Sequence, residues 1–318
     1  MISISTCWNS GRHVDGAGMI MELLDLGFER VELGHGIRVS LMHGIQKVFD
    51  KGLVQFSSLH NFCPLPVEIT RASPDCLQFS SHRDDERERA VRQTFQTIDF
   101  AVRLGAPRVV LHCGRVPMQP ITAQLSKMAG EGKHLSAEYA RLKVAAVRKR
   151  ESLAPLYLER LKECLKRVID YAGTKGIRLG IEGRQAYEEI PTPREAVALL
   201  DELNAPEVVG YWHDFGHIQI QHNLGFVDHA EWLARISPRL LGCHLHDVVW
   251  PAVDHRAPFT GGSVDYERLI PLLPKGTLFV WEMSPRRKRE EIIESLHRWK
   301  ARFGDATDAS VGASVGAV

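Results

Sequence analysis

Glu182, Asp214, His244 and Glu282 stand at or near the ends of short apolar runs, in IRLGIE, VVGYWHD, LLGCHLHD and TLFVWEM. A polar residue at the end of a buried strand faces the edge where that strand leaves the core. Three carboxylates and an imidazole gathered at one such edge would repel and take up protons unless a cation offset them. Oxygen and nitrogen donors without thiolate suit manganese, magnesium, cobalt or zinc. Cys113 and Cys243 adjoin these segments, but neighbouring side chains on a strand point to opposite faces, so both are expected to pack outward against helices.

The same census over the other runs adds Glu32, His60, His112, His213, His217 and the stretch His244 to Asp247. One such residue is ordinarily a solvated group at a loop edge. A purely structural core has no need of acid or imidazole at nearly every strand end.

The elements that would position them alternate along the chain. Candidate strands are ISISTCW, RVELG, VQFSSLHN, RVVLHCG, IRLGIE, VVGYWHD, LLGCHLHD and TLFVWEM, separated by helix-length amphipathic stretches. Several of these stretches end at Gly, the residue that most easily closes a helix. Eight strand–helix units in one direction predict a single-domain α/β protein, a (β/α)8 TIM barrel over residues 1–304. An open doubly wound sheet is the alternative, but the chain lacks a Gly-rich dinucleotide turn after its first strand. Residues 115–150 exceed a barrel loop and predict extra helix, suited to a lid or a contact with a second copy in a homo-oligomer. The small-residue tail, 305–318, is expected to be disordered.

The chain has 318 residues, 44% hydrophobic and 25% charged, with a net charge of +1. That balance fits a soluble enzyme and argues against a nucleic-acid or membrane partner. Six cysteines without CxxC pairing or regular spacing read as reduced thiols of a cytoplasmic protein. The first residues lack the pattern of a secretory signal, and no apolar run reaches spanning length. No phosphate-cradling P-loop, nucleophile elbow or Cys/His pair points to another chemistry.

The segments VELGHG, SSLHNF, AVRQTFQTIDFAVRLGAPRVVLHCG, LGIEGR, HDFGH, HLHD, DHRAPFTGGSVDY and FVWEMSP, in this order, resemble the xylose-isomerase-like barrel superfamily over roughly residues 3 to 300. That group holds sugar and sugar-phosphate isomerases and epimerases as well as endonuclease IV-type enzymes. The resemblance implies a shared metal set at Glu182, Asp214, His244 and Glu282. His244 is preferred to His246 because it lies three residues before Asp247. In the isomerase and epimerase branch, Glu182 and Glu282 would also act as acid and base, one removing a proton beside a carbonyl and the other returning it through a metal-stabilised enediolate.

Substrate contacts implied in the same way are His217, His60, His112, Glu188, His255 and Arg256, for a small-molecule carbohydrate. The aromatic residues Trp8 and Trp250 are candidates for stacking on a sugar face, whereas Trp212 belongs to the core. Two features depart from the ketose 3-epimerase pattern. Trp250 occupies the place of an arginine six residues after the metal histidine, and the loop after His255 is one residue longer. His60 and His112 also match additional zinc ligands of the endonuclease IV type, so a zinc phosphodiesterase is one alternative. Against it, Asp254 and His255 are adjacent where that type has Asp-x-His. A lyase or dehydratase acting on a keto-sugar through the same metal site is another.

Overall fold

The computed structural model describes residues 1–307. The eight apolar runs form β1 (Ile2–Ser5), β2 (Arg30–Leu33), β3 (Gln55–His60), β4 (Arg108–Leu111), β5 (Arg178–Glu182), β6 (Val209–Asp214), β7 (Leu240–Leu245) and β10 (Phe279–Trp281). They close into a barrel in the order β1-β10-β7-β6-β5-β4-β3-β2, with every neighbouring pair parallel. The sheet is therefore closed, not doubly wound. Between β7 and β10 an antiparallel hairpin, β8 (Asp247–Val249) and β9 (Val253–Arg256), rises over the mouth.

Among the described residues, ten α-helices run as α1 (Gly16–Leu24), α2 (Met42–Asp50), α3 (Asp84–Arg103), α4 (Ile121–Gly130), α5 (Ala137–Lys175), α6 (Pro193–Leu203), α7 (Phe215–Asn223), α8 (His229–Ile236), α9 (Tyr266–Leu269) and α10 (Arg289–Thr307). The extra segment at 115–150 contains α4 and the start of α5, a helix of 39 residues that carries Pro155 within it. Of the tail expected from 305, residues 305–307 belong to α10, and 308–318 lie outside the described residues. No described helix is long and apolar enough to cross a membrane.

Local chemistry sets the boundaries of these helices. Thr192 and Glu195 form a reciprocal capping box with Pro193 just inside α6, and Gly176, at φ 68°, ends α5. Asp214 caps α7 by accepting from the His217 amide at 2.7 Å. The carboxylate at the end of β6 is thus fixed by the helix it starts, and the same cap sets His217 one turn further on.

Alternation along the strands builds a floor beneath the strand ends. Val110, Trp212, Leu241, Leu278 and Val280 form a separate cluster inside the barrel. Gly180, Trp212, Gly242 and Val280 each precede a candidate ligand by two residues and share its inward face. A Cβ on Gly242 would come within 2.6 Å of the Trp212 ring, and one on Gly180 within 3.0 Å. The two glycines make room for the indole, which sits edge-on to His244 at 5.3 Å between centroids. Trp212 is core, as expected, and Cys113 and Cys243 join the outer cluster.

On the outward face of β6, His213 Nε2 meets His229 Nε2 of α8 at 3.0 Å, and His229 Nδ1 meets Gln219 Oε1 at 2.9 Å. Both of these bonds form when the rings are neutral, with His213 donating to His229 and His229 to Gln219, while His213 Nδ1 is buried without a partner. Burial pushes His213 down to about 3; burial and the neighbouring His213 hold His229 well below the ordinary range. The unfolded chain protonates both near pH 6.5, so the folded state loses stability as pH falls from about 6.5 toward 3. By pH 6.0 the loss should reach about 1 kcal/mol for each histidine. We expect the fall in Tm between pH 7.5 and 6.0 to be smaller by about 2–3 °C in a His213→Leu/His229→Leu double variant, as thermal scans at both pH values would show. Equal falls in the two proteins would refute the assignment.

Candidate metal and substrate site

The ends of β5, β6, β7 and β10 bring Glu182, Asp214, His244 and Glu282 together, with one potential ligand atom from each lying within 4.8 Å of all the others. Each is buried. His244 Nδ1 faces inward, 3.3 Å from Glu182 Oε1, 3.3 Å from Glu282 Oε2 and 3.7 Å from Asp214 Oδ2. Its Nε2 faces away, 3.2 Å from Glu32 Oε1, and Glu32 Oε2 accepts from Ser58 Oγ at 2.7 Å. One ring nitrogen is therefore aimed at the three carboxylates and the other is held by a fourth.

Imidazoles fence this cluster. His60 Nε2 and His112 Nε2 each lie 3.0 Å from Glu182 Oε2. His217 Nδ1 lies 3.4 Å from Glu182 Oε1 and 3.3 Å from Asp214 Oδ2, and 3.0 Å from the Gly183 carbonyl. His246 Nε2 approaches Asp214 Oδ1 at 3.0 Å, while its Nδ1 accepts from the His255 amide. His255 sits between Asp254, at 3.2 Å, and Glu282, at 3.7 Å.

Electrostatics follow this crowding. Burial would raise the Glu282 carboxyl, but His244 and His255 hold it well below the usual carboxylate range. Glu182 is held down against the same burial by His112 and His244. Burial opposes charge on His217, yet Asp214 and Glu182 lift it to about 9. Cys7 donates to Glu282 Oε1 at 3.4 Å, and burial together with that carboxylate pushes its thiol up, so it remains protonated.

Three buried carboxylates and a nitrogen converging on one point fit a divalent cation of the oxygen- and nitrogen-preferring kind. Four further groupings among the described residues could hold ions: His60, His112 and Glu182; His60, His244 and Glu282; and Cys7, His35 and Glu282, each sharing at least one residue with the first set; and, apart from it, His217, His246 and His255.

A cavity of about 690 Å³ opens above the cluster. His60, His112, His217, His255 and Arg256 line it with Glu182 and Glu282. Three expected substrate contacts lie elsewhere. Glu188 turns away and accepts from Thr122 N and Thr122 Oγ1, both at 2.7 Å, so it anchors the first turn of α4. Trp8 is buried behind the wall, its indole donating to the Arg287 carbonyl at 2.8 Å and its ring lying 4.0 Å from the Arg12 guanidinium. Trp250 is 44% exposed in the turn of the β8–β9 hairpin, against His134.

Sequence reading missed Arg184, which is 3% exposed and bonds Asp75 and Glu189, although it stands two residues after Glu182 in LGIEGR. It also missed Cys7, His35 and the cavity-lining residues Arg38 and Arg286. Glu32, noted among the strand-end acids, had no role until the His244 geometry supplied one.

A model of the xylose isomerase-like TIM barrel matches residues 22–302. No curated protein sequence matches the chain. Solved structures share its fold. One of a D-tagatose 3-epimerase-like protein has a TM-score of 0.68 at 15% identity and covers 96% of this chain and 98% of its own. The 3-keto-D-glucoside 4-epimerase of E. coli has a TM-score of 0.66 at 12% identity, covering 94% of this chain and 98% of its own. The D-allulose 3-epimerase of Methylomonas sp. gives 0.64 at 15% identity, covering 95% and 97%.

Proposed function

Because the chain belongs to the xylose isomerase-like TIM barrel family, we propose that it is a divalent-cation-dependent isomerase or epimerase of a small polyhydroxylated carbonyl compound. The observation that carries this reading is the convergence of Glu182 and Glu282 with Asp214 and His244 at the floor of one cavity. The structural neighbours, among them sugar epimerases, support the same class.

Glu182, Asp214, His244 and Glu282 would hold the cation, which supplies stabilisation of negative charge on a substrate oxygen. With a C–H beside the carbonyl lying between Glu182 and Glu282, one carboxylate takes the proton and the electron pair moves into an enediol. The other carboxylate returns a proton. Return to the opposite face of the same carbon inverts it; return to the neighbouring carbon, with the proton of the adjacent hydroxyl passing to the former carbonyl oxygen, converts aldose and ketose. His217, which contacts the Gly183 carbonyl, Glu182 and Asp214, would orient a substrate hydroxyl.

The test is incubation of cation-loaded protein with a panel of aldoses and ketoses in deuterated water. We expect deuterium at the carbon beside the carbonyl. Strand scission of an abasic-site oligonucleotide, with no exchange, would overturn the reading in favour of a phosphodiesterase, and an unsaturated product would favour a lyase.

The phosphodiesterase reading has one observation of its own: His60 and His112 share a single oxygen of Glu182. We expect the proton-transfer enzyme to need one cation per chain, and elemental analysis after gel filtration would measure it. Activity that appears only at two or more equivalents would shift the balance to the hydrolase.

A further inference from the structure

Taken as a site for a carbonyl compound, the cavity has an excess of cationic donors that the proton-transfer chemistry does not use. Five arginines line it: Arg38, Arg184, Arg256, Arg286 and Arg287. Arg184 is matched to Asp75 and Glu189, and Arg287 faces Glu291 at 3.8 Å. Arg38, Arg256 and Arg286 form no ion pair with any described carboxylate; the described pairs of the cavity's acids are with imidazoles and Arg184.

The placement of the three is not scattered. Arg38 follows β2, Arg256 ends the hairpin that follows β7, and Arg286 follows β10. In the barrel β7, β10, β1 and β2 are consecutive, so the three stand along one side of the mouth. Arg38 and Arg286 are exposed at the rim, whereas the carboxylate cluster is buried below. Donors without acceptors also occur within the wall. Arg256 Nε is buried without a hydrogen-bond partner, and so are Nε and Nη1 of the nearly fully buried Arg184. Such donors are costly to leave unpaired, and a ligand that brings acceptors would satisfy them. Neutral hydroxyls answer that need weakly, because each also brings a proton. An oxyanion brings acceptors alone, and guanidinium forks match it.

We propose that the substrate carries a terminal oxyanion, a phosphate monoester or a carboxylate, at the end remote from the reacting carbon, and that Arg38, Arg256 and Arg286 bind it at the rim. The proposal rests on the proton-transfer reading of the same cavity, but its test requires no turnover. Calorimetric titration of the full-length, cation-loaded protein would compare xylitol, xylitol 5-phosphate and xylonate. At least one charged analogue should bind about tenfold or more tightly than the neutral polyol, with the advantage shrinking as salt rises. Whether phosphate or carboxylate gains more identifies the group.

An Arg256→Gln/Arg286→Gln double variant should erase the difference between charged and neutral ligands while its circular dichroism stays that of the parent. The proposal is overturned if neither charged analogue outcompetes xylitol, if none of the three binds, or if the advantage survives in the double variant. That last result would assign the charge to the cation at the floor. Absence of deuterium exchange would defeat the proton-transfer reading and leave this binding difference standing.

Discussion

Glu282→Gln should lower deuterium exchange at the substrate carbon by about 10³-fold and weaken cation binding, while the barrel keeps its fold. Glutamine fills the same volume, so contacts at the end of β10 are preserved. It lacks the charge that a cation would meet and the basicity that proton abstraction requires. The environment of Glu282 makes the experiment informative, because His244 and His255 hold its carboxyl well below the usual range against the effect of burial. At neutral pH the group is ionised and able to accept a proton. Glu182→Gln should act similarly, but with greater structural cost: Glu182 is approached by His60, His112, His217 and His244, and an amide there would leave several rings facing a poorer acceptor. Exchange rates and cation titrations on both variants, alongside thermal scans, separate the two effects. An exchange rate for Glu282→Gln equal to the parent's would remove Glu282 from the mechanism.

The part of this site that could be read in the sequence is the part governed by strand geometry. Side chains two apart share a face, so Trp212 under Asp214 and Gly242 under His244 follow from VVGYWHD and LLGCHLHD once those runs are strands. Eight such runs in series left closure as the natural arrangement, and the barrel closes. His244 and His246 are distinguished by what they face: His244 Nδ1 points at three carboxylates, whereas His246 Nε2 lies beside Asp214, 3.0 Å from Oδ1 and 3.2 Å from Oδ2.

What escaped was set by contacts between distant segments. Helix α7 has no polar stripe to announce it, because Phe215 through Gln221 are buried on every side. Glu188 had the spacing of a substrate contact, but Thr122 at the start of α4 captures it from 66 residues away. Trp250 had the position of a stacking residue, but it falls in the turn of a hairpin that carries it outward. Arg38 lies far from Arg256 and Arg286 along the chain, and it comes to their side of the mouth only when β10 and β2 close on β1.

Glu32 offers the sharpest test of that nonlocal layer. Its carboxylate is fully buried, takes the Ser58 hydroxyl at 2.7 Å, and lies 3.2 and 3.3 Å from His244 Nε2. For His244 to offer a lone pair from Nδ1 to a cation, its proton must reside on Nε2, and Glu32 is the acceptor that keeps it there. Glutamine at this position fills the space but accepts less strongly, and its amide can turn N–H toward the ring, which favours the opposite tautomer. Glu32→Gln should therefore weaken cation binding by about 10–100-fold. Exchange activity should recover at cation concentrations raised by the same factor. A role confined to packing would lower the Tm of the cation-free protein and leave cation affinity untouched. Titration of cation-free parent and variant, with thermal scans on each, distinguishes the two. Unchanged affinity in a destabilised variant would reduce Glu32 to a buried structural acid and leave the orientation of His244 to its neighbours on the cavity side.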